Sequence, residues 1–279
     1  MGEPWLGTDA WQLTAAISEL SGHDVADLLL RADDETLRRT DRAQISTFAL
    51  EMVALAHARP AGVVAYAGHS LGEYSALVAA GVLTVEAGAQ LVAARGAAMV
   101  DAAQRDPGTM VAVLGPDDDA IAELVGKLQA AGFRVWVANS NAPGQTVLSG
   151  DDAGIAAAVD AAKALPRAKT RALPVGGAFH SPLMAPAADA LRAAISRTDF
   201  SDAQAPVVAN VDAQPHTRGS EWRELLARQL TAPVRWTESV RALVALGCTS
   251  FLEIGPGETL SAMVKRIAPG AACEAVTRS

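Results

Sequence analysis

Residues Gly62-Val63-Val64-Ala65-Tyr66-Ala67 run into Gly68-His69-Ser70-Leu71-Gly72, and Glu73-Tyr74-Ser75 follows. The first six are a short apolar run with β propensity, closed by glycine. From about 72 to 80 the pattern turns helical and stops at Gly81, a residue suited to a helix C-terminus. A G-x-S-x-G element between a strand and a helix is the context in which this pattern carries chemistry. The sharp turn lifts the serine hydroxyl above the sheet edge, and the two glycines let strand and helix approach without Cβ clashes. The Leu71 N–H then points from the helix N-terminus to where an oxyanion would form. The plainer alternative is a strand–helix turn that happens to contain a serine.

A serine hydroxyl needs a base to become a good nucleophile. The histidines are His23, His57, His69, His180 and His216. His69 lies inside the elbow, and its side chain should point away from that of Ser70. His23 and His57 sit at or near helix ends, and His216 follows Pro215 in a polar loop. His180, in Gly176-Gly177-Ala178-Phe179-His180-Ser181-Pro182-Leu183-Met184, comes after a strand and two glycines and before a helix. That position puts it at the edge of the sheet that presents Ser70.

Outward from the elbow, helices are expected at 10–31 (with a break capped by Asp24), 43–58 and 85–103. Near Pro107 the texture changes. Strands at 110–114, 135–139, 146–149 and 168–175 alternate with helices at 117–130 and 151–163. This β-α-β-β-α-β order is the ferredoxin-like pattern. Beyond it, helices at 184–197, 220–230, 236–246 and 257–266 surround strands at 207–211 and 250–254. The fold class expected is α/β. An α/β-hydrolase-like large subdomain (1–106 and 176–279) with a mainly parallel sheet carries an inserted ferredoxin-like small subdomain (107–175).

Bulk properties narrow the function. The net charge is −8, against general nucleic-acid binding. It is uneven: residues 1–159 hold 9 Lys/Arg against 20 Asp/Glu, whereas 160–279 hold 14 against 11. An acidic partner would meet less repulsion on the C-terminal part. Cys248 and Cys273 have no metal-ligand spacing and read as reduced thiols. No metal motif, signal peptide or membrane-spanning run is visible, so a cytoplasmic protein without membrane association is expected.

Several runs together resemble malonyl-CoA:acyl carrier protein transacylases and the acyltransferase domains of polyketide synthases. They are Gly68–Ser75, then Arg95-Gly96 with Met99, then Ala138-Asn139-Ser140-Asn141-Ala142-Pro143-Gly144-Gln145. Next come Ala178–Met184, Arg228-Gln229-Leu230 with Pro233-Val234-Arg235-Trp236, and Glu253-Ile254-Gly255-Pro256-Gly257. They occur in family order and cover nearly the whole chain. The resemblance implies that Ser70 carries the acyl group, that His180 is the general base and acid, and that the Gln229 main-chain carbonyl holds the imidazole. It implies Leu71 N–H as an oxyanion donor and Arg95 as the partner of a malonyl carboxylate; from sequence alone Arg95 would be a solvated helix arginine. It adds His69, Phe179, Gln44 and Asn139 as substrate-binding candidates, although Ala43-Gln44-Ile45-Ser46 departs from the family's Gln-Pro-Ala. The ring of Phe179 should favour malonyl over substituted malonyl groups, incompletely, since a methyl-sized contact is worth only ~1–3 kcal/mol.

The implied reaction moves a malonyl-type group from its coenzyme A thioester to an acyl carrier protein in fatty acid or polyketide synthesis. It needs no bound cofactor or metal and is expected of a monomer. Arg218, Arg223, Arg228, Arg235, Arg241, Lys265 and Arg266 are candidate contacts for the acidic carrier. Family members begin with a strand and a Gly-Gln-Gly-Ser-Gln-like loop that supplies a second oxyanion donor, and Met1-Gly2 falls just after it. If the 279 residues are complete, turnover should be lower by ~100–1000-fold. An acyl hydrolase and an inactive carrier-docking module are the rival readings. Against the hydrolase, His180 lies far from the C-terminus, behind the whole insert, and Arg95 favours a carboxylated substrate.

Overall fold

The computed structural model describes residues 1–276. Short helices lead in: α1 (Leu13–Ser21), α2 (Val25–Leu30), whose N-terminus is capped by Asp24 accepting from Asp27 N–H, and α3 (Asp34–Arg38). Then come α4 (Thr40–Ala58), β1 (Tyr66–Ala67), α5 (Gly72–Ala79) and α6 (Val85–Arg105). Helices α4 and α6 form the centre of the main core. They pack closely because α6 presents Gly88 and Gly96 to α4. A Cβ at Gly88 would lie 2.7 Å from the Phe48 ring, and one at Gly96 would lie 2.9 Å from the Asp41 Cα.

The segment from Pro107 to the early 170s contains β2 (Thr109–Leu114), α7 (Asp118–Ala130), β3 (Val135–Ala142), β4 (Gln145–Gly150), α8 (Asp152–Ala162) and β5 (Lys169–Ala172). Its strands form one antiparallel sheet in the order β3-β4-β2-β5. Asp117 and Asp151 cap the two helices through their side chains, as their positions ahead of Ala-rich runs suggest. Val111, Ile121, Leu148 and Ile155 fill a separate core between helices and sheet. Strand β3 is irregular at Asn139 and Ala142 and bridges to Val234: Ser140 N–H donates to Val234 O (3.0 Å) and Val234 N–H to Ala138 O (2.8 Å). This stitch brings the end of β3 to the elbow.

The rest of the chain supplies α9 (Ala185–Ser196), β6 (Val207–Val208), β7 (Pro215–His216), α10 (Trp222–Gln229), α11 (Trp236–Ala245), β8 (Ser250–Glu253), α12 (Thr259–Ile267) and β9 (Ala272–Ala275). The structure departs from a single, mainly parallel sheet. Strand β1 is parallel to β6 and β6 antiparallel to β7, while β8 and β9 form a separate parallel pair. Between β1 and β8 runs a groove of about 580 Å³, lined by residues 60–68, 247–254 and the helices above and below. Residues 62–65, expected in the strand, lie along this groove outside any ladder, and Val64 and Leu252 are exposed.

Candidate active site

The elbow is built as its glycines require. A Cβ at Gly68 would sit 1.9 Å from the Gly72 backbone, so only glycine allows strand and helix to meet there. Ser70 is left-handed (φ 52°), an uncommon state for a side-chain-bearing residue, and so is His180 (φ 57°). The Ser70 backbone is held on both sides, its N–H by Asn210 and its carbonyl by Gln229. Leu71 caps α5, and its N–H makes no hydrogen bond among the described residues.

Ser70 Oγ is 2.7 Å from His180 Nε2. Across the ring, Nδ1 faces two main-chain carbonyls, Gln229 O at 2.9 Å and Ala232 O at 3.2 Å. Carbonyls only accept, so Nδ1 carries the hydrogen and Nε2 is free to take the serine proton. Burial pushes the imidazole down to about 3, helped by the Arg95 charge and opposed by the Gln229 carbonyl. The ring is therefore a neutral base.

Arg95, on α6, is 1% exposed, far from a solvated helix arginine. Its Nη1 donates to Gln44 Oε1 (2.5 Å), and its Nη2 to Ser70 Oγ (3.0 Å) and to Gln229 Oε1 (3.0 Å). The guanidinium lies 5.6 Å from the centre of the Tyr74 ring, and its Nε has no partner. Among the described residues no carboxylate comes within ion-pairing distance of it. A buried cation with no carboxylate in contact is costly; Glu73 acts on it only from across the Gln229 amide.

The structure thus brings Ser70, Leu71, Arg95, His180, Gln229 and Gln44 together. His69 makes no hydrogen bond to Ser70 or His180, though its ring is near enough to act on His180. The His69 Nε2 pairs with Asn141 Oδ1 at 2.8 Å, and its ring lies edge-on to Trp236. Asn139 is buried where β3 bridges to Val234 and makes no hydrogen bond to Ser70 or His180. Phe179 is half-buried, packed between the main core and a small cluster under β2. Among the basic residues, Arg223 is bonded to carbonyls at the end of α9, Arg235 pairs with Glu238, and Arg266 holds Gln145 and Pro143 O. Arg228, Arg241 and Lys265 remain exposed.

Sequence reasoning missed two buried residues under the elbow. Glu73 Oε1 accepts from Asn210 N–H (2.7 Å), and Oε2 accepts from Gln229 Nε2 (2.5 Å). Burial pushes this carboxyl up to about 8, against those two donors and the Arg95 charge. An acid one helical turn after the nucleophile, on the face that packs downward, is a signal that could have found Glu73. Asn210, just beyond β6, had none. The Gln229 side chain also does more than its carbonyl: its Nε2 donates to Ser70 O at 2.8 Å.

No cluster of three His, Cys, Asp or Glu side chains able to hold a metal ion occurs among the described residues. No helix among them is long and apolar enough to cross a membrane. What the site offers is a serine facing a base of fixed tautomer, and a guanidinium with no carboxylate in contact, 3.0 Å from the nucleophile.

Comparison with known proteins gives the chain's family. The acyl transferase domain family profile matches residues 8–276. The malonyl CoA-acyl carrier protein transacylase of Bacillus subtilis is 40% identical over 245 residues, covering 87% of this chain and 77% of that protein. The crystal structure of a malonyl-CoA:acyl carrier protein transacylase from Xanthomonas oryzae superposes with a TM-score of 0.90 at 37% identity, over 97% of this chain and 87% of that one. A malonyl-transacylase solved in complex with a holo acyl carrier protein of a type II polyketide synthase gives 0.91 at 36%, over 97% and 88%. An α/β chain with this serine, this histidine and this buried arginine belongs to the malonyl-CoA:acyl carrier protein transacylase family of acyl transferases.

Proposed function

We propose that this chain moves a malonyl group from coenzyme A to the phosphopantetheine thiol of an acyl carrier protein through an ester on Ser70. The observation that carries this reading is the buried, carboxylate-free guanidinium of Arg95 beside Ser70 Oγ. A planar, permanently charged fork is suited to the free carboxylate of a malonyl group. His180 Nε2 takes the serine proton as Oγ attacks the thioester carbonyl, and Leu71 N–H faces the oxyanion. The C–S bond breaks, and the proton on Nε2 passes to the departing coenzyme A sulfur. The carrier thiol then enters, gives its proton to Nε2 and attacks the ester carbonyl, and Ser70 recovers its proton.

In this reading residues 1–106 and 176–279 form the α/β-hydrolase-like subdomain and 107–175 the ferredoxin-like one, with the site at their junction. Arg228, Arg241 and Lys265 face the acidic carrier. The enzyme works as a cytoplasmic monomer and needs no cofactor besides its thioester substrate.

The test is mass spectrometry of the Ser70 peptide after incubation with malonyl-CoA, followed by addition of holo carrier protein. The expected result is one malonyl group on Ser70, stable in buffer and passed to the carrier. Rapid loss to water identifies a hydrolase, and absence of any adduct identifies a non-catalytic docking module; either overturns the reading.

A further inference from the structure

Ser70 occupies a left-handed conformation that a residue with a side chain does not adopt without help. Two carboxamides hold it, and one of them spans the turn. Asn210, fully buried, accepts the Ser70 N–H on Oδ1 at 2.7 Å and donates from Nδ2 to the Gly68 carbonyl at 2.7 Å. The orientation of the amide is not ambiguous, because Ser70 N–H can only donate and Gly68 O can only accept. The side chain therefore spans the turn from residue 68 to residue 70, 140 residues away in sequence from the serine. Asn210 is itself fixed through its backbone: its N–H goes to Glu73 Oε1 and its carbonyl accepts from Arg235 N–H at 3.0 Å. Glu73 in turn holds the Gln229 amide that donates to Ser70 O.

We propose that Asn210 is a positioning residue for the nucleophile: it clamps the strained turn and so sets the contact between Ser70 Oγ and His180 Nε2. It touches no reacting atom. Only a side chain with one donor and one acceptor at this reach satisfies both sides of the turn. An ionised aspartate keeps the acceptor for Ser70 N–H but sets a second oxygen against Gly68 O. A protonated aspartic acid has a carbonyl and an O–H, the same pattern as the amide. Activity of Asn210→Asp should therefore recover as the pH falls. Glu73, His69, Arg95, His180 and Asp212 are the ionisable groups nearby, but they are common to wild type and variant, so the ratio of the two profiles isolates position 210.

The experiment measures single-turnover acylation of Ser70 by malonyl-CoA, and inactivation by a fluorophosphonate probe, across pH 5–9, below the melting temperature and per folded molecule. Asn210→Ala should lose roughly 5- to 150-fold in both rates, as expected for a buried donor and acceptor left unpaired, with KM for malonyl-CoA unchanged. Asn210→Asp should be similarly slow at pH 8 and approach wild type at acid pH. Asn210→Ser, with a shorter hydroxyl, should fall between and serves if the alanine variant does not fold. A structural role alone lowers the melting temperature and leaves these rates and the pH ratio flat, which would overturn the proposal. The inference rests on the acyl-enzyme reading, but the phosphonate arm does not. If wild type reacts with the probe and not with malonyl-CoA, the function fails while the role of Asn210 is still decided.

Discussion

Arg95 Nη2 donates a 3.0 Å hydrogen bond to the same Ser70 Oγ that faces His180 Nε2 at 2.7 Å. The guanidinium is turned onto the nucleophile, and no carboxylate among the described residues touches it. A carboxylate on the acyl group would take over that fork and leave Oγ to the imidazole alone. In the proposed reaction, recognition of the carboxylate and release of the nucleophile would be one event.

Removal of the fork should separate the two. Charged hydrogen bonds are worth about 1.5–3 kcal/mol each, so Arg95→Ala should lower kcat/KM for malonyl-CoA by roughly 100-fold or more. Loading of acetyl-CoA should hold or rise. An acyl-CoA panel scored by mass gain on Ser70 checks this; undiminished malonyl loading would remove the carboxylate assignment.

Gln44 Oε1 holds the outer nitrogen of Arg95, and Gln44 Nε2 is 3.1 Å from the Met99 sulfur. Gln44→Leu keeps the volume and frees the guanidinium to swing. The expected effect is a rise in KM for malonyl-CoA of about tenfold, in line with one lost charge-assisted bond, with little change for acetyl-CoA. Steady-state kinetics on the two substrates separate this from a general loss of folding.

The pH profile follows from His180. Its ring, pushed down to about 3 by burial and the Arg95 charge, stays an unprotonated base through pH 5. An ordinary imidazole would lose activity below about 6.5. The acid limb of kcat/KM should accordingly lie well below 6, and Arg95→Ala should move it upward. Stability moves with the same group: the unfolded imidazole binds its proton near 6.5 and the folded one near 3. Its contribution is therefore complete above about 6.5 and lost as the pH falls toward 3. Short assays on folded protein and urea titrations at each pH distinguish the two effects.

Gly68→Ala tests the elbow itself. Its Cβ would lie 1.9 Å from the Gly72 backbone, which cannot yield without moving β1 or α5. Overpacking of this kind costs about 1–3 kcal/mol or more, and the displaced Ser70 should lose phosphonate reactivity even where the circular dichroism spectrum is retained.

Much of this was readable in the chain because the signals are local. The strand–Ser70–helix transition, the Asp caps at 117 and 151 and the β-α-β-β-α-β order each lie within a few residues or a regular period. His180 stood out by its place after a strand. Other features depend on residues far apart in sequence. Asn210 reaches the elbow across 140 residues and Asn141 reaches His69 across 72. Neither shows in spacing. Strand β7 contains Pro215 and strand β9 is a weak Ala-Cys-Glu-Ala run, so only pairing with β6 and β8 makes them strands. The run at 62–67 has strand propensity, yet a ladder needs a partner, and only Tyr66 and Ala67 find one.

The imidazole of His180 leans on two peptide oxygens where many serine enzymes place an acid. No carboxylate hydrogen-bonds to the ring among the described residues, so peptide dipoles alone steady an imidazolium there. A thiol, with a pKa of about 8.5, gives up its hydrogen to such a partner far more readily than water at about 15.7. If Ser70 carries the proposed ester, the acidity of the incoming group would favour sulfur over oxygen, and the ester should persist in water until a sulfhydryl arrives.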